Sequence, residues 1–261
     1  MINLNNNVAL VTGASQGLGK GIAIELANVG TDVIVTHLNT PSDAKNAEAV
    51  VDEIIEKGRK AIALSLDVTN EKSIEQCVQE ALKQFPNIDI LVNNAGVFQN
   101  KMGGEATLED FDVCHDVNVK GVWSVSCALI HHFLKNGGGK IINIASGAGR
   151  RGHVANAYCA SKAAVISLTQ SLAEELGPSN INVNAVCPCI VRTPALDRCE
   201  SMMKDEAGDM PSHVDRCIEI TPLRRMQTAE DIGCAVVFFA SPQAKNITGQ
   251  ALNVDGGFCM N

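Results

Sequence analysis

Tyr158 and Lys162 are the pair of side chains in this 261-residue chain whose types and spacing most directly suggest chemistry. Tyr158 is the only tyrosine, and Lys162 stands one helical turn on, along the same face of the run Ala157-Tyr158-Cys159-Ala160-Ser161-Lys162. A free phenol loses its proton near pH ~10, too high for useful acid or base work at neutrality. A cation within about 4 to 6 Å lowers a pKa by roughly 1 to 3 units. The pair is therefore expected to bring a phenol into range to exchange protons with an alcohol or ketone. Tyr-x-x-x-Lys also arises on ordinary amphipathic helices with the lysine merely solvated, so the rest of the chain has to decide between the two.

A second chemical signal lies near the start. The apolar, β-branched run Val8 to Thr12 reads as a buried parallel strand, and it breaks into Gly13-Ala14-Ser15-Gln16-Gly17-Leu18-Gly19 before a helix expected from Lys20 to Val29, closed by Gly30. Strand, glycine turn and helix in that order form a phosphate cradle, with backbone amides facing the anion and glycines letting main chain approach a pyrophosphate. A glycine turn alone is weak evidence; its place between strand and helix favours a dinucleotide site over a structural turn. The next strand, Asp32 to Thr36, leads into His37-Leu38-Asn39-Thr40. An NAD-selective site usually carries an acid about twenty residues past the turn, and here that place is held by His37. With no carboxylate there, Ser15, Thr36, His37 and Asn39 are candidates to hydrogen-bond a 2'-phosphate, although no arginine or lysine stands at the expected spots. NADP(H) is accordingly favoured slightly over NAD(H).

The totals exclude several classes. A net charge of −8 with no basic run argues against nucleic acid or an anionic membrane as partner. The N-terminal stretch lacks a signal-peptide pattern and no apolar run reaches the roughly 18 residues of a membrane span, so a cytoplasmic location is expected. Ten cysteines in such a chain read as thiols, several of them small core hydrophobes. Cys187-Pro188-Cys189 has no second Cys or His pair at ligand spacing, so no metal is expected. His131 and His132 are adjacent on a helical run and point in different directions.

The elements that must position these groups alternate. Helices are expected over Pro41 to Lys57, Glu71 to Phe85, a segment containing Phe111 to Gly121, the Tyr158 run, and Ala229 to Ala240. Strands are expected over Ala61 to Leu66, Ile88 to Val92, Lys140 to Ala145 and Ala251 to Val254, with a sixth reaching Pro188. Strands separated by helices of this length give a parallel sheet with helices on both faces. There is no repeat, low-complexity tract or linker, so one domain over residues 1–261 is expected. Ser146 falls at the carboxyl end of a strand, where open α/β sheets bind ligands.

Taken together, Thr12-Gly13-x-x-x-Gly17-x-Gly19, Asp67-Val68, Asn93-Asn94-Ala95-Gly96, Asn118-Val119-x-Gly121, Ser146, Tyr158-x-x-x-Lys162, Asn184-x-x-x-Pro188, Thr248-Gly249-Gln250 and Asp255-Gly256-Gly257 resemble, in order, the short-chain dehydrogenase/reductase family. The resemblance covers essentially the whole chain and implies an α/β, Rossmann-type doubly wound parallel sheet of about seven strands in a single domain. It implies an NAD(P)-dependent oxidoreductase moving hydride between nicotinamide and a secondary alcohol/ketone pair. In that reading Tyr158 passes the proton, Ser146 holds the reacting oxygen, Lys162 holds the nicotinamide ribose and depresses the phenol's pKa, and Asn118 holds a water that links Lys162 to solvent. Gly13, Ser15, Gln16, Gly17, Leu18, Gly19, His37, Asn39, Asp67, Val68, Asn94, Ala95, Gly96, Pro188, Val191 and Thr193 line the coenzyme, with Asn93 a nearby spacer and Ile190 beside the carboxamide. Asp67 could instead be a strand-end cap, and Asn118 a buried amide serving backbone.

Two departures stand out. The family usually has Pro-Gly where this chain has Pro188-Cys189, which puts a thiol beside the nicotinamide, either narrowing the pocket or open to alkylation. The loop from Ser146 to Tyr158 is about one residue short, which leaves the roles of Arg150, Arg151, His153 and Val154 undefined. Residues 194–221, rich in Met and Cys, are expected to be a substrate lid. The helix starting at Tyr158 is apolar or small on more than one face, which suits the family's habit of forming homotetramers. Enoyl reductases of the family typically space Tyr and Lys more widely, and a coenzyme-binding regulator without turnover is the alternative of another class. The substrate itself is not legible.

Overall fold

The computed structural model describes residues 2–98, 104–152, 155–193, 196 and 213–260. Seven strands form one sheet: β1 (Val8–Val11), β2 (Asp32–His37), β3 (Ala61–Ser65), β4 (Ile90–Asn93), β5 (Gly139–Ile144), β6 (Ile181–Pro188) and β7 (Ala251–Val254), in the order β3-β2-β1-β4-β5-β6-β7 with every pair parallel. The chain runs outward from β1 to β3, returns to the centre, and runs outward again from β4. The crevice between β1 and β4 is the point where the winding reverses.

Helices cover both faces. They are α1 (Gly17–Asn28), α2 (Pro41–Glu56), α3 (Glu71–Gln84), α4 (Leu108–His115), α5 (Gly121–Lys135), α6 (Asn156–Leu176), α7 (His213–Ile220) and α8 (Ala229–Ala240). Alternation along the strands splits the core in two. Ala9, Val11, Val33, Val35 and Ile142 meet Ile22 and Leu26 of α1, Val50 and Ile54 of α2 and Val236 of α8. Val8, Leu10, Ile34, Leu91 and Ile141 meet Ala81 of α3, Leu129 and Phe133 of α5 and Leu172 of α6. The inner strands are buried on both faces, β1 and β4 along their whole length, which is why they read as continuous apolar runs rather than alternating ones, while the edge strands β3 and β7 are partly exposed.

Helix starts follow local chemistry. Thr40 caps α2 with Pro41 in its first turn, Asn70 caps α3, and capping boxes at Thr107/Asp110 and Thr228/Asp231 open α4 and α8. The expected start of α1 is corrected by three residues, because the helix begins at Gly17, inside the glycine turn. The expected single helix around Phe111 to Gly121 is α4 and α5 joined through a π-turn, Asp116–Lys120. β4 and β5 are each displaced slightly from the expected bounds, within the usual fraying of such assignments.

α1 and α8 pack more extensively than any other described pair of elements. A Cβ on Gly21 would sit 2.4 Å from the Ala229 Cβ, so only glycine lets the two backbones approach this closely. Of the expected lid, α7 is described; residues 194–195 and 197–212, with Cys199, Met202, Met203 and Met210, lie outside the described residues, as do His153 and Val154. No helix among the described residues is long and apolar enough to cross a membrane.

Candidate active site

α6 carries Tyr158 and Lys162 on one face, and β5 delivers Ser146 opposite them. Ser146 caps the short 3-10 turn Gly147–Gly149, accepting from Ala148 N at 3.1 Å, and its side chain acts on the Tyr158 phenol, favouring the ionised form. The two hydroxyl-bearing side chains therefore share one site. Lys162 Nζ donates to Ile144 O at 2.8 Å and lies 5.8 Å from the Tyr158 ring centroid. Phe98 packs edge-on against Tyr158 with centroids 4.9 Å apart.

The electrostatics differ from the sequence expectation. Burial pushes the Tyr158 phenol up to about 12, and the Ser146 side chain only partly offsets this. Burial pushes the Lys162 ammonium down to about 8. The expected depression of the phenol by its neighbouring amine is therefore absent from the protein by itself. The reason is that desolvation penalises both charged forms, and the lysine, facing a carbonyl, is close to losing its charge.

Asn118 sits fully buried in the π-turn. Its Oδ1 accepts from Val97 N at 2.8 Å, and its Nδ2 donates to Val97 O and to Ser161 Oγ, each at 3.0 Å. The amide serves backbone, as the plainer reading of the sequence allowed. It also borders the lysine: a Cβ added at Gly96 would lie 3.1 Å from Asn118 Oδ1 and 3.5 Å from Lys162 Nζ. Glycine at 96 keeps the gap between them clear.

The glycine turn sits beside this site at the β1/β4 crevice. Thr12 Oγ1 accepts from Asn94 N and Ala95 N, both at 2.9 Å, and Asn94 Nδ2 donates to Thr12 O at 2.8 Å and Gly13 O at 3.0 Å. Asn94 and Ala95 therefore brace Gly13, which has a φ of 62°. A Cβ on Gly19 would meet Gly13 O at 2.2 Å, so the turn closes onto α1 only with glycine there. Gln16 occupies the N-cap of α1 without a side-chain cap bond, and the first turn holds no acid. The amides of Gly17, Leu18 and Gly19 open this helix, where an anion is favoured. This cradle fits the pyrophosphate of a dinucleotide.

The outer cofactor candidates are less uniform. Asp67 Oδ1 accepts from Thr69 N at 2.9 Å and Thr69 Oγ1 at 2.7 Å, the strand-end cap anticipated as the alternative, and Val68 packs against Gly121 of α5. His37 is buried, with Nδ1 2.7 Å from Leu38 O, while Asn39 is exposed. Pro188 ends β6 buried, Val191 bridges to Gln227, and Thr193 Oγ1 accepts from Leu196 N at 3.3 Å. Ile190 N donates to Gln227 Oε1 at 3.0 Å. Burial pushes the half-buried Cys189 thiol up to about 12, so it is no ready nucleophile and alkylation at neutral pH is not favoured. The nine described cysteines are all free thiols, six of them buried, and no described cluster of His, Cys, Asp or Glu could hold a metal ion.

One supporting feature escaped the sequence reading. Asn93 Nδ2 donates to Ser126 Oγ at 3.0 Å and Asn143 Oδ1 at 2.9 Å, and Asn143 Nδ2 donates to Thr169 Oγ1 at 2.9 Å. This buried polar chain ties α5, β4, β5 and α6 together behind Ser146 and Tyr158. Its signal was an asparagine between Ile142 and Ile144 on an otherwise apolar strand.

A family model described as enoyl-(acyl carrier protein) reductase matches residues 13–259. The chain is 38% identical to a 3-oxoacyl-[acyl-carrier-protein] reductase of Synechocystis over 262 residues, and 38% identical to a sorbitol dehydrogenase of Cereibacter sphaeroides over 266, covering 100% of both chains in each case. Among solved structures it is similar to a 7α-hydroxysteroid dehydrogenase complexed with NADH and 7-oxo glycochenodeoxycholic acid (TM-score 0.88, 34% identity, 98% and 95% of the two chains). It is also similar to a blue fluorescent protein from a metagenomic library in complex with NADPH (TM-score 0.87, 33% identity, 99% and 100%).

Proposed function

The chain belongs to the short-chain dehydrogenase/reductase family of NAD(P)-dependent oxidoreductases, and from that premise we propose that it interconverts a secondary alcohol and a ketone. The observation that carries this reading is the grouping of three side chains: Ser146 acts on the Tyr158 phenol, and Lys162 Nζ lies 5.8 Å from the centroid of the Tyr158 ring. Two neighbouring hydroxyls suit a carbonyl oxygen, which gains charge as the carbonyl is reduced.

When bound, the nicotinamide coenzyme supplies or accepts the hydride. The chain's own residues do the rest. Ser146 Oγ holds the substrate oxygen, and Tyr158 Oη gives it a proton in reduction or takes one in oxidation. Lys162 lies beside Tyr158 and is placed to hold the ribose hydroxyls. Asn118 positions the 97 backbone and, across the gap kept by Gly96, borders a solvent path to Lys162. Gly13 to Gly19, with Asn94 and Ala95 behind them, hold the pyrophosphate; Asp67, Val68, Pro188, Val191 and Thr193 border the remainder. The spacing of Tyr158 and Lys162 favours a ketone over the enoyl substrate in the family model's description.

A cytoplasmic homotetramer acting on a small molecule completes the proposal. What supports assembly is the outer face of α5 and α6, where Ala160, Ala163 and Ser167 are exposed and Trp123 is 46% exposed. The deciding assay follows the absorbance of the reduced coenzyme across a panel of ketones and alcohols. Turnover of at least one ketone is expected; coenzyme binding without turnover of any would favour a regulatory protein instead.

A further inference from the structure

Resting on that reading, we infer that Asp43, at the start of α2, supplies the carboxylate that His37 lacks at the end of β2, and that it makes the protein select NAD(H) over NADP(H). The glycine turn is tied directly to the end of β2: Gly13 N donates to Thr36 Oγ1 at 3.2 Å, and Ala14 N donates to Thr36 O at 2.8 Å. The adenosine ribose of a dinucleotide on this turn lies over that join. Asp43 reaches the same place from the other side, because Ser15 Oγ, inside the turn, donates to Asp43 Oδ1 at 3.5 Å. The carboxylate is held in position by Thr40 Oγ1, which donates to Oδ2 at 2.8 Å.

Three of the four groups proposed for a 2'-phosphate already have partners, and Asn39 alone is exposed. Ser15 faces the carboxylate, Thr36 Oγ1 serves Gly13, and His37 Nδ1 is directed at Leu38 O. From Gly13 to Lys45 the lysines and arginines are Lys20, which pairs with Glu53 at 2.9 Å, and Lys45, exposed on α2 two residues beyond Asp43. A phosphate ester beside Ser15 would meet the Asp43 carboxylate first, with no cation among the residues that hold it, whereas a ribose hydroxyl would find an acceptor. This reverses the slight preference for NADP(H) drawn from the absence of an acid at position 37. The acid arrives six residues later in the chain, brought back by the turn into α2.

Asp43 is also the third residue of a capped helix, since Asp43 N donates to Thr40 Oγ1 at 3.1 Å. The test must therefore remove charge and keep the cap. Asp43→Asn does so, because an amide oxygen can still accept from Thr40. NADH and NADPH are titrated separately into the wild type and Asp43→Asn, following quenching of the Trp123 emission or the coenzyme's own fluorescence, with no substrate present. The expected result is that wild type binds NADH at least about tenfold more tightly than NADPH, and that Asp43→Asn narrows the ratio by about tenfold through tighter NADPH binding. Added salt should also strengthen NADPH binding to the wild type relative to NADH, by screening the repulsion. That readout remains available if the variant folds poorly. Equal or tighter NADPH binding by the wild type, or an unchanged ratio in Asp43→Asn, overturns the assignment of Asp43. Binding of neither coenzyme overturns the nicotinamide reading itself.

Discussion

At the scale of single residues, burial shifts both titrating groups of the site toward their neutral forms, raising the Tyr158 phenol and lowering the Lys162 ammonium. The proton passed to substrate has to come from Tyr158, so Tyr158→Phe is expected to fold, to bind coenzyme, and to lose turnover by about 10²- to 10⁴-fold in steady-state assays. Normal activity in that variant would remove the assignment. Lys162 carries a measurable cost. Unfolded, it holds its proton to about 10.5; folded, only to about 8, so the unfolded chain binds more protons between those values and stability from this group rises with pH across that window. Below pH 8 the full cost applies, on the order of 3 kcal/mol. The raised phenol acts in the opposite sense: its contribution is present below pH 10 and is lost as pH climbs toward 12. Urea melts should therefore show Lys162→Met more stable than wild type at pH 7, with the gap closing by pH 10; parallel curves would show that the ammonium is not desolvated. The sequence made the pairing of Tyr158 and Lys162 legible because a four-residue spacing on a helix fixes a shared face. The direction of their titration was hidden, since it depends on how much of Phe98, Ile144 and the neighbouring backbone closes over them.

At the scale of elements, the π-turn at Asp116–Lys120 is the joint that lets one long helix serve two tasks. An extra residue in the turn rotates Asn118 inward to hold both backbone groups of Val97, the residue that follows the clear space at Gly96. Such turns are often found at functional sites. Asn118→Ala leaves the Val97 groups and the Ser161 hydroxyl without that partner, and chemical denaturation should register a loss on the order of 3 kcal/mol. A loss below about 0.5 kcal/mol would mean that water replaces the amide without penalty. The α/β alternation was readable from Val8, Ile34 and Ile90 outward because strands buried on both faces have no choice but to be apolar. The π-turn was not, since Asp-Val-Asn-Val-Lys has ordinary helix composition. The return of Asp43 to Ser15 was equally hidden: sequence separation says how far along β2 an acid should stand, and nothing about a side chain that arrives from the helix beyond.

At the scale of the whole molecule, the surface raises the question of assembly. Trp123 is the chain's only tryptophan and is 46% exposed on α5, so it reports on any copy that covers this face. Its emission should move to shorter wavelength as concentration rises through the range in which a sizing column shows dimers or tetramers. A single species at monomer size, with solvent-exposed emission throughout, would end the tetramer proposal. Another consequence follows from the tight seat of Gly21 against Ala229. The helix that opens the nucleotide cradle is built from residues near the beginning of the chain, yet its outer wall comes from residues near the end. During synthesis, then, the N-terminal half leaves the ribosome with the apolar flank of its first helix uncovered, and remains so until Ala229–Ala240 has emerged. A messenger truncated before that point would yield a polypeptide with every catalytic side chain present and no firm floor for the coenzyme.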